Sequence, residues 1–382
     1  MTPRQATFAA FLSFGVCVGL WSGSIPTVAG NAGVSPSALG LATTASTVAT
    51  ILGLALAGRV ARQVPIRHML RGAVVLMALA AAVLMNAPGQ VAFFGLFILF
   101  GLIAGFCDGT MNAEATSVER DLRRPVLVAF HAGTSAAMGL LAPVGSALSE
   151  GLGTAATALS MIAVGLAGAA LVERGTPLRP IERGQPTAAA HGSGGRVTLP
   201  LILLGLVVGV SIAGEMSALM FSAATIRAAA PELAPWAGLG VLAYALCQAA
   251  VRSLADRVRR HVSDPVLILG SIALAFAGFC LIAVSSGSIV GIAAGLAIVG
   301  VGTASIVPCG FVLAPRVSGL AAARAIGYLS LVSAVPRIPV PWLFGAVAET
   351  HGYPPAYLLN AALMAIAFAI MIAMILRARR NP

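Results

Sequence analysis

The 382-residue chain contains no lysine and only 12 acidic residues, so its formal charge of +11 rests on arginine alone. Charged residues make up 9% of it, against about 25% in a soluble protein. A water-soluble globular fold is excluded. The arginines stand in short groups between apolar runs instead of on one basic face, which excludes DNA and RNA as partners. The cysteines, Cys17, Cys107, Cys247, Cys280 and Cys309, are isolated in apolar segments, and neither CxxC nor His-rich spacing occurs. No disulfide framework, metal site or cofactor is expected. HExxH, GxSxG and GxGD are absent too, which argues against an intramembrane enzyme.

What remains is apolar: 59% of residues are hydrophobic and the mean hydropathy is +0.97. A membrane-spanning helix needs about 20 such residues. Runs of that kind occupy 6–29, 37–57, 71–88, 91–117, 125–149 and 154–172, then 199–226, 236–256, 265–284, 288–314, 325–348 and 355–376. The first run is longer than the 7–15 residues of a signal-peptide core and reads as an anchor. Arginine placement sets the topology. With both termini inside, 20 of 23 arginines fall at cytoplasmic ends; Arg227 lies near an outer end, and Arg252 and Arg337 lie within spans. The expectation is an all-α, multi-pass monomer in a bacterial cytoplasmic (inner) membrane. Residues 174–197, rich in Pro, Gly and small side chains, form a cytoplasmic linker between six-helix bundles at 1–173 and 198–382.

The two halves repeat. Leu56-Ala-Gly-Arg-Val-Ala-Arg-Gln-Val64 and Leu254-Ala-Asp-Arg-Val-Arg-Arg-His-Val262 agree at six of nine positions, 198 residues apart. GxxxG spacing marks every third span: Gly15, Gly19 and Gly23; Gly101, Gly105 and Gly109; Gly205 and Gly209; Gly287, Gly291 and Gly295. Such ladders let helices approach closely in lipid. Parallel halves built of inverted three-helix units are a transporter architecture.

These segments resemble the loop signature of the major facilitator superfamily. Met111-Asn112, Val118-Glu119, Arg124-Pro125 and Phe130-His131-Ala132 resemble the span 4–5 signature of its branch containing the MosC and YbjJ membrane proteins. Trp21 with Pro26, Glu215, Arg252 through Asp256, and Gly345 through Glu349 extend the likeness. Ser24 stands where the branch often has a basic residue, and Met220-Phe221 where it has Asp-Trp. The resemblance implies a major facilitator fold and secondary transport, with a link to sugar-like or inositol-derived solutes.

Ionisable groups at membrane depth point to a pathway or a coupling site. Asp108 and Asn112 share one face of span 4, within about 20° of Gly101 at 100° per residue. Asp108 and His131 lie at similar depths and can meet, and a carboxylate beside an imidazole exchanges protons near neutral pH. Glu215, placed in the outer third of span 7, is expected to pair with Arg337, either as a permanent bridge or as an arrangement that solute or proton would open; capture of an anionic solute is an alternative for Arg337. Asp108, His131 and Glu215 are thus the candidates for proton coupling. Trp21, Asn112, Glu215, Phe221 and Arg337 are candidates for the solute cavity. Arg59, Arg252, Asp256 and Arg257 form a candidate gating loop, with Arg252 and Asp256 paired. Glu119 is expected in an ion pair with Arg120, Arg123 or Arg124. Prolines 308, 336, 339 and 341 should break spans 10 and 11. The leading reading is a proton-coupled carrier of a small organic solute, working by alternating access. Proton-driven efflux of a drug or metabolite is the alternative within transport, and a non-transporting sensor or scaffold the alternative outside it.

Overall fold

The computed structural model describes residues 1–124, 126–177, 197–285 and 287–380, less the side chains of 255, 256, 323, 379 and 380. Most of the 174–197 linker lies outside that description. The first part of the chain forms α1 (Pro3–Asn31), α2 (Pro36–Val60), α3 (Ile66–Leu84), α4 (Gln90–Leu122), α5 (Leu127–Gly151) and α6 (Thr154–Gly175). The second forms α7 (Leu199–Ala229), a 3-10 turn (Pro231–Trp236), α8 (Leu239–Arg259) and α9 (Asp264–Val284). It continues with α10 (Ile289–Thr303), α11 (Ile306–Ser318), α12 (Ala322–Arg337), α13 (Pro339–His351) and α14 (Tyr353–Arg380). Among the described residues these make 12 helices long and apolar enough to cross a membrane, the number expected.

Spans 10 and 11 are each two helices because proline interrupts them. Pro308 offers no N–H to the Ala304 carbonyl and its ring crowds that oxygen, so α10 stops and α11 restarts. Pro339 and Pro341 do the same around Ile338. At this break the Ile338 carbonyl accepts the Thr44 hydroxyl of α2 at 2.6 Å. Some helix starts carry side-chain caps. Thr2 and Gln5 form a reciprocal capping box on α1. Glu119 accepts the Val126 and Leu127 amides at 2.8 and 3.0 Å, placing a carboxylate on the positive end of α5. Capping, not the expected ion pair, is the role these bonds give Glu119.

Glycine ladders set the helix pairs. Gly15, Gly19 and Gly23 bring α1 onto the backbone of Thr134, Met138 and Ala142 in α5. Gly101 and Gly105 seat α4 on Ser46 and Thr50 of α2. Gly205 and Gly209 seat α7 on Val332 and Ser333 of α12, and Gly300 seats α10 on Tyr244 of α8. The pairing of spans 1 with 5 and 2 with 4 therefore recurs as 7 with 11 and 8 with 10. Gly295 of α10 instead packs on Ile282 of α9, and Gly287 sits in the preceding loop at φ +85°, outside any ladder.

The basic end of the molecule carries the arginine loops. Its ion pairs tie neighbouring helices of the same six-span group: Arg71 to Glu173 at 2.9 Å, and Arg259 and Arg316 to Asp264 at 2.9 and 3.3 Å. The two groups meet chiefly through α5 against α8 and α2 against α13. Span 11 contributes to the second contact through α13, toward the opposite end, whereas α12 packs on α7 and α11.

Candidate functional site

Asp108 and Asn112 stand one turn apart on α4, and the Asn112 Nδ2 donates to Asp108 Oδ1 and to its backbone carbonyl, both at 2.9 Å. That leaves Asn112 Oδ1 as the acceptor facing α5, where His131 Nε2 lies 3.0 Å away and donates. The imidazole edge rests on Phe11, ring centroids 5.3 Å apart. Acid and base are joined, but through an amide instead of directly. Asn112 is the helix-to-helix link.

Ser135 follows His131 by one turn on the same face of α5. It accepts Arg252 Nη1 of α8 at 3.3 Å. The other arm of that guanidinium lies 3.8 Å from Glu215 Oε2 on α7. Arg252 is also within electrostatic reach of His131. Asp108, Asn112, His131, Ser135, Arg252 and Glu215 thus form one polar row that crosses from the first six spans to the last six.

This row corrects two expectations. Glu215 pairs with Arg252, not with Arg337, which is within electrostatic reach but makes no ion pair with it. Glu215 lies near the middle of the 31-residue α7, not in an outer third, because the helix runs on to Ala229. Arg252 points toward Ser135 and Glu215; its expected pairing with Asp256 falls on a side chain outside the described residues. Arg59 and Arg257 are exposed in the last turns of α2 and α8.

The aromatic candidates are core. Trp21 is fully buried against Phe93, Phe97 and Phe100 of α4, with Phe97 nearest at 5.4 Å. Phe221 is fully buried against Phe344 at 4.7 Å. Neither forms a cavity wall in this conformation. Ser24 also faces inward, donating to the Gly145 carbonyl at 2.9 Å. Gln248 donates to the Tyr244 hydroxyl at 2.6 Å, and both lie beside Glu215.

A second set, at the opposite end, escaped sequence reasoning. Glu150 of α5 pairs with Arg227 of α7 and accepts the Thr27 hydroxyl of α1 at 2.5 Å. Glu349 of α13 accepts the Ser35 hydroxyl at 2.8 Å and the Ser37 amide at 2.9 Å, capping α2 from across the boundary. Ser146 joins Pro235 and Gly238 in the same way. Arg227 stood out only as an arginine away from the basic end; nothing marked Glu150 as its partner. Glu150→Gln should weaken closure there by about 1 kcal/mol, about fivefold in the closed population, since the pair is partly solvated. Faster hydrogen exchange of the end residues of α5 and α7 would report it, and unchanged exchange would assign the pair no role in closure.

Comparisons with known proteins agree with this fold. A family model, Major Facilitator Superfamily, matches residues 6–335. The chain is 26% identical over 356 residues to an uncharacterized transporter, y4wD, of Sinorhizobium fredii, covering 91% of this chain and 92% of that one. It is 25% identical over 370 residues to an uncharacterized MFS-type transporter of Yersinia pestis, covering 94% and 92%. Among solved structures, the nucleoside transporter NupG superposes with a TM-score of 0.73 at 13% identity, over 98% of this chain and 99% of that one. The human organic anion transporter MFSD10 superposes at 0.61 with 16% identity, over 96% and 98%. At these identities the structures share the fold alone.

Proposed function

Because the chain belongs to the Major Facilitator Superfamily and is a multi-pass membrane transporter, we propose that it carries a small organic solute by alternating access and couples that movement to protons. The observation that carries this reading is the polar row itself, in which titratable groups from both six-span groups meet at membrane depth. Lipid penalises such groups, and they are retained where they serve a pathway.

In this reading residues 1–173 and 198–382 move as two bundles joined by the 174–197 linker. The basic end is cytoplasmic by the positive-inside rule, which puts both termini inside. The Glu150, Glu349 and Ser146 contacts then hold the outer end shut. Charged Asp108 grips the Asn112 amide with a charge-assisted hydrogen bond, and Asn112 in turn orients His131. A proton on Asp108 loosens that grip. A proton on His131 repels Arg252 and weakens its bonds to Ser135 and Glu215, which join the two bundles. The signature around Met111-Asn112 and Phe130-His131-Ala132 supports membership in the MosC and YbjJ branch and, with it, a sugar-like or inositol-derived solute.

The test uses purified protein in liposomes holding a pH-sensitive dye, given a panel of sugars, polyols, nucleosides and sugar acids. Transport of at least one class should move protons with it and respond to an imposed pH gradient. Solute flux indifferent to that gradient would remove the coupling.

A further inference from the structure

Arg337 is the partly buried charge left over within the spans. It ends α12 where the proline break begins, and the contact of Gly209 with Ser333 and Pro336 draws that segment onto α7. Its Nε is fully buried without a hydrogen-bond partner, and among the described residues the side chain makes no hydrogen bond or ion pair. The carboxylate within electrostatic reach of it, Glu215, gives Oε2 to Arg252, while Glu215 Oε1 is itself buried with no hydrogen bond. Around this point Arg252 and Arg337 therefore face the single negative charge of Glu215. One positive charge and one carboxylate acceptor remain unmet together, at a depth where an uncompensated guanidinium carries one of the heaviest penalties known for a side chain.

Both open valences specify what would satisfy them. A planar guanidinium edge takes a carboxylate or a similar oxyanion, often through two parallel bonds. A lone carboxylate oxygen takes a hydroxyl donor. We propose that Arg337 is the anion-binding residue of the solute site, and that the solute is a small hydroxy-acid anion whose carboxylate meets Arg337 and whose hydroxyl meets Glu215 Oε1. The proposal rests on the carrier reading above and narrows it: the sugar-like part supplies the hydroxyl, and an acidic group supplies the charge. It also gives Arg337 a purpose that the Glu215 pair leaves open. A solute seated there draws on Glu215 and so competes with Arg252, which places solute and proton on the same row.

Binding is measured on the full chain in detergent by thermal shift, with no pH gradient present. The probes are gluconate, glucuronate, glycerate and lactate, set against glucose, myo-inositol and chloride at equal ionic strength. A ligand that binds the folded protein raises its midpoint. At least one hydroxy-acid anion should do so, and Arg337→Gln should weaken that anion about tenfold or more while Arg337→Lys retains part of the effect. Without ligand, Arg337→Gln should melt at or above the wild-type temperature, because it removes an unmet charge. A lower ligand-free midpoint in Arg337→Gln would mark a structural ion pair and overturn the proposal. So would an equal shift with glucose, myo-inositol or chloride, or no shift with any of the anions. The two readings fail separately: proton movement driven by a neutral sugar alone leaves the carrier standing and removes the anion site, whereas anion binding with gradient-indifferent flux keeps the anion site and removes the proton coupling.

Discussion

Asp108→Asn should bind solute with nearly unchanged affinity yet lose proton-driven accumulation by about a hundredfold, the scale of removing a positioned acid or base. The substitution keeps the size of the side chain and an oxygen for the Asn112 amide to reach at 2.9 Å. What it removes is titration. An amide cannot alternate between a strong and a weak grip on Asn112, so His131 stays in one orientation whatever the proton supply. Exchange of solute down its own gradient should continue, because that step needs no proton cycle. Stability provides the control. A neutral amide costs less to bury than a carboxylate, so the variant should melt no lower than the parent. Asn112→Leu cuts both hydrogen bonds of the link and should lose coupling together with some stability. Full accumulation by Asp108→Asn would demote the carboxylate to a helix-stapling role and move the search for the proton site to Glu215.

Much of this molecule is legible in its sequence because lipid enforces a few rules strictly. Twelve apolar runs survive as spans since a shorter run would leave backbone groups unsatisfied. Pro308, Pro339 and Pro341 mark the breaks in spans 10 and 11 since proline removes a helical donor wherever it stands. The shared face of Asp108 and Asn112 follows from helical periodicity. Their link to His131 through the amide does not, because it depends on how far α4 stands from α5. Glu215 shows the limit more sharply. Choosing between Arg252 and Arg337 requires the rotation of α7 about its axis, which so evenly apolar a helix does not encode in any amphipathic stripe. For the same reason Trp21 and Phe221 could not be sorted into wall or core. The cross-boundary pairs are the least legible, since Glu150 and Arg227 lie 77 residues apart, and Glu349 and Ser35 lie 314 apart.

Gly238→Val should hold the molecule open at the end where the structure has it closed. Gly238 lies between the 3-10 turn and α8, in the last six spans, and a Cβ there would overlap the Ala142 carbonyl and the Pro143 nitrogen of α5 in the first six. Those are backbone atoms, unable to rotate aside as a flexible side chain would. Overpacking of this kind costs about 1–3 kcal/mol, which corresponds to about a fivefold to more than a hundredfold loss of the closed population. The penalty applies only while the two groups are in contact, so the rest of the fold should be spared. Gly40 against Pro341 and Gly345 against Pro36 have the same character on the other flank of the interface. Gly23 differs: it presses on Ala142 from α1, within one six-span group, so Gly23→Val should impair folding in every conformation. Spin labels at the exposed Asn31 and Glu232, with the five native cysteines replaced, would read the separation of the two groups at this end. Gly238→Val should lengthen that distance and stall transport, while the melting profile stays cooperative. An unaltered distance with undiminished flux would mean that closure there is not tight enough for a valine side chain to matter, and that the polar row, not the glycine contact, decides which side is open.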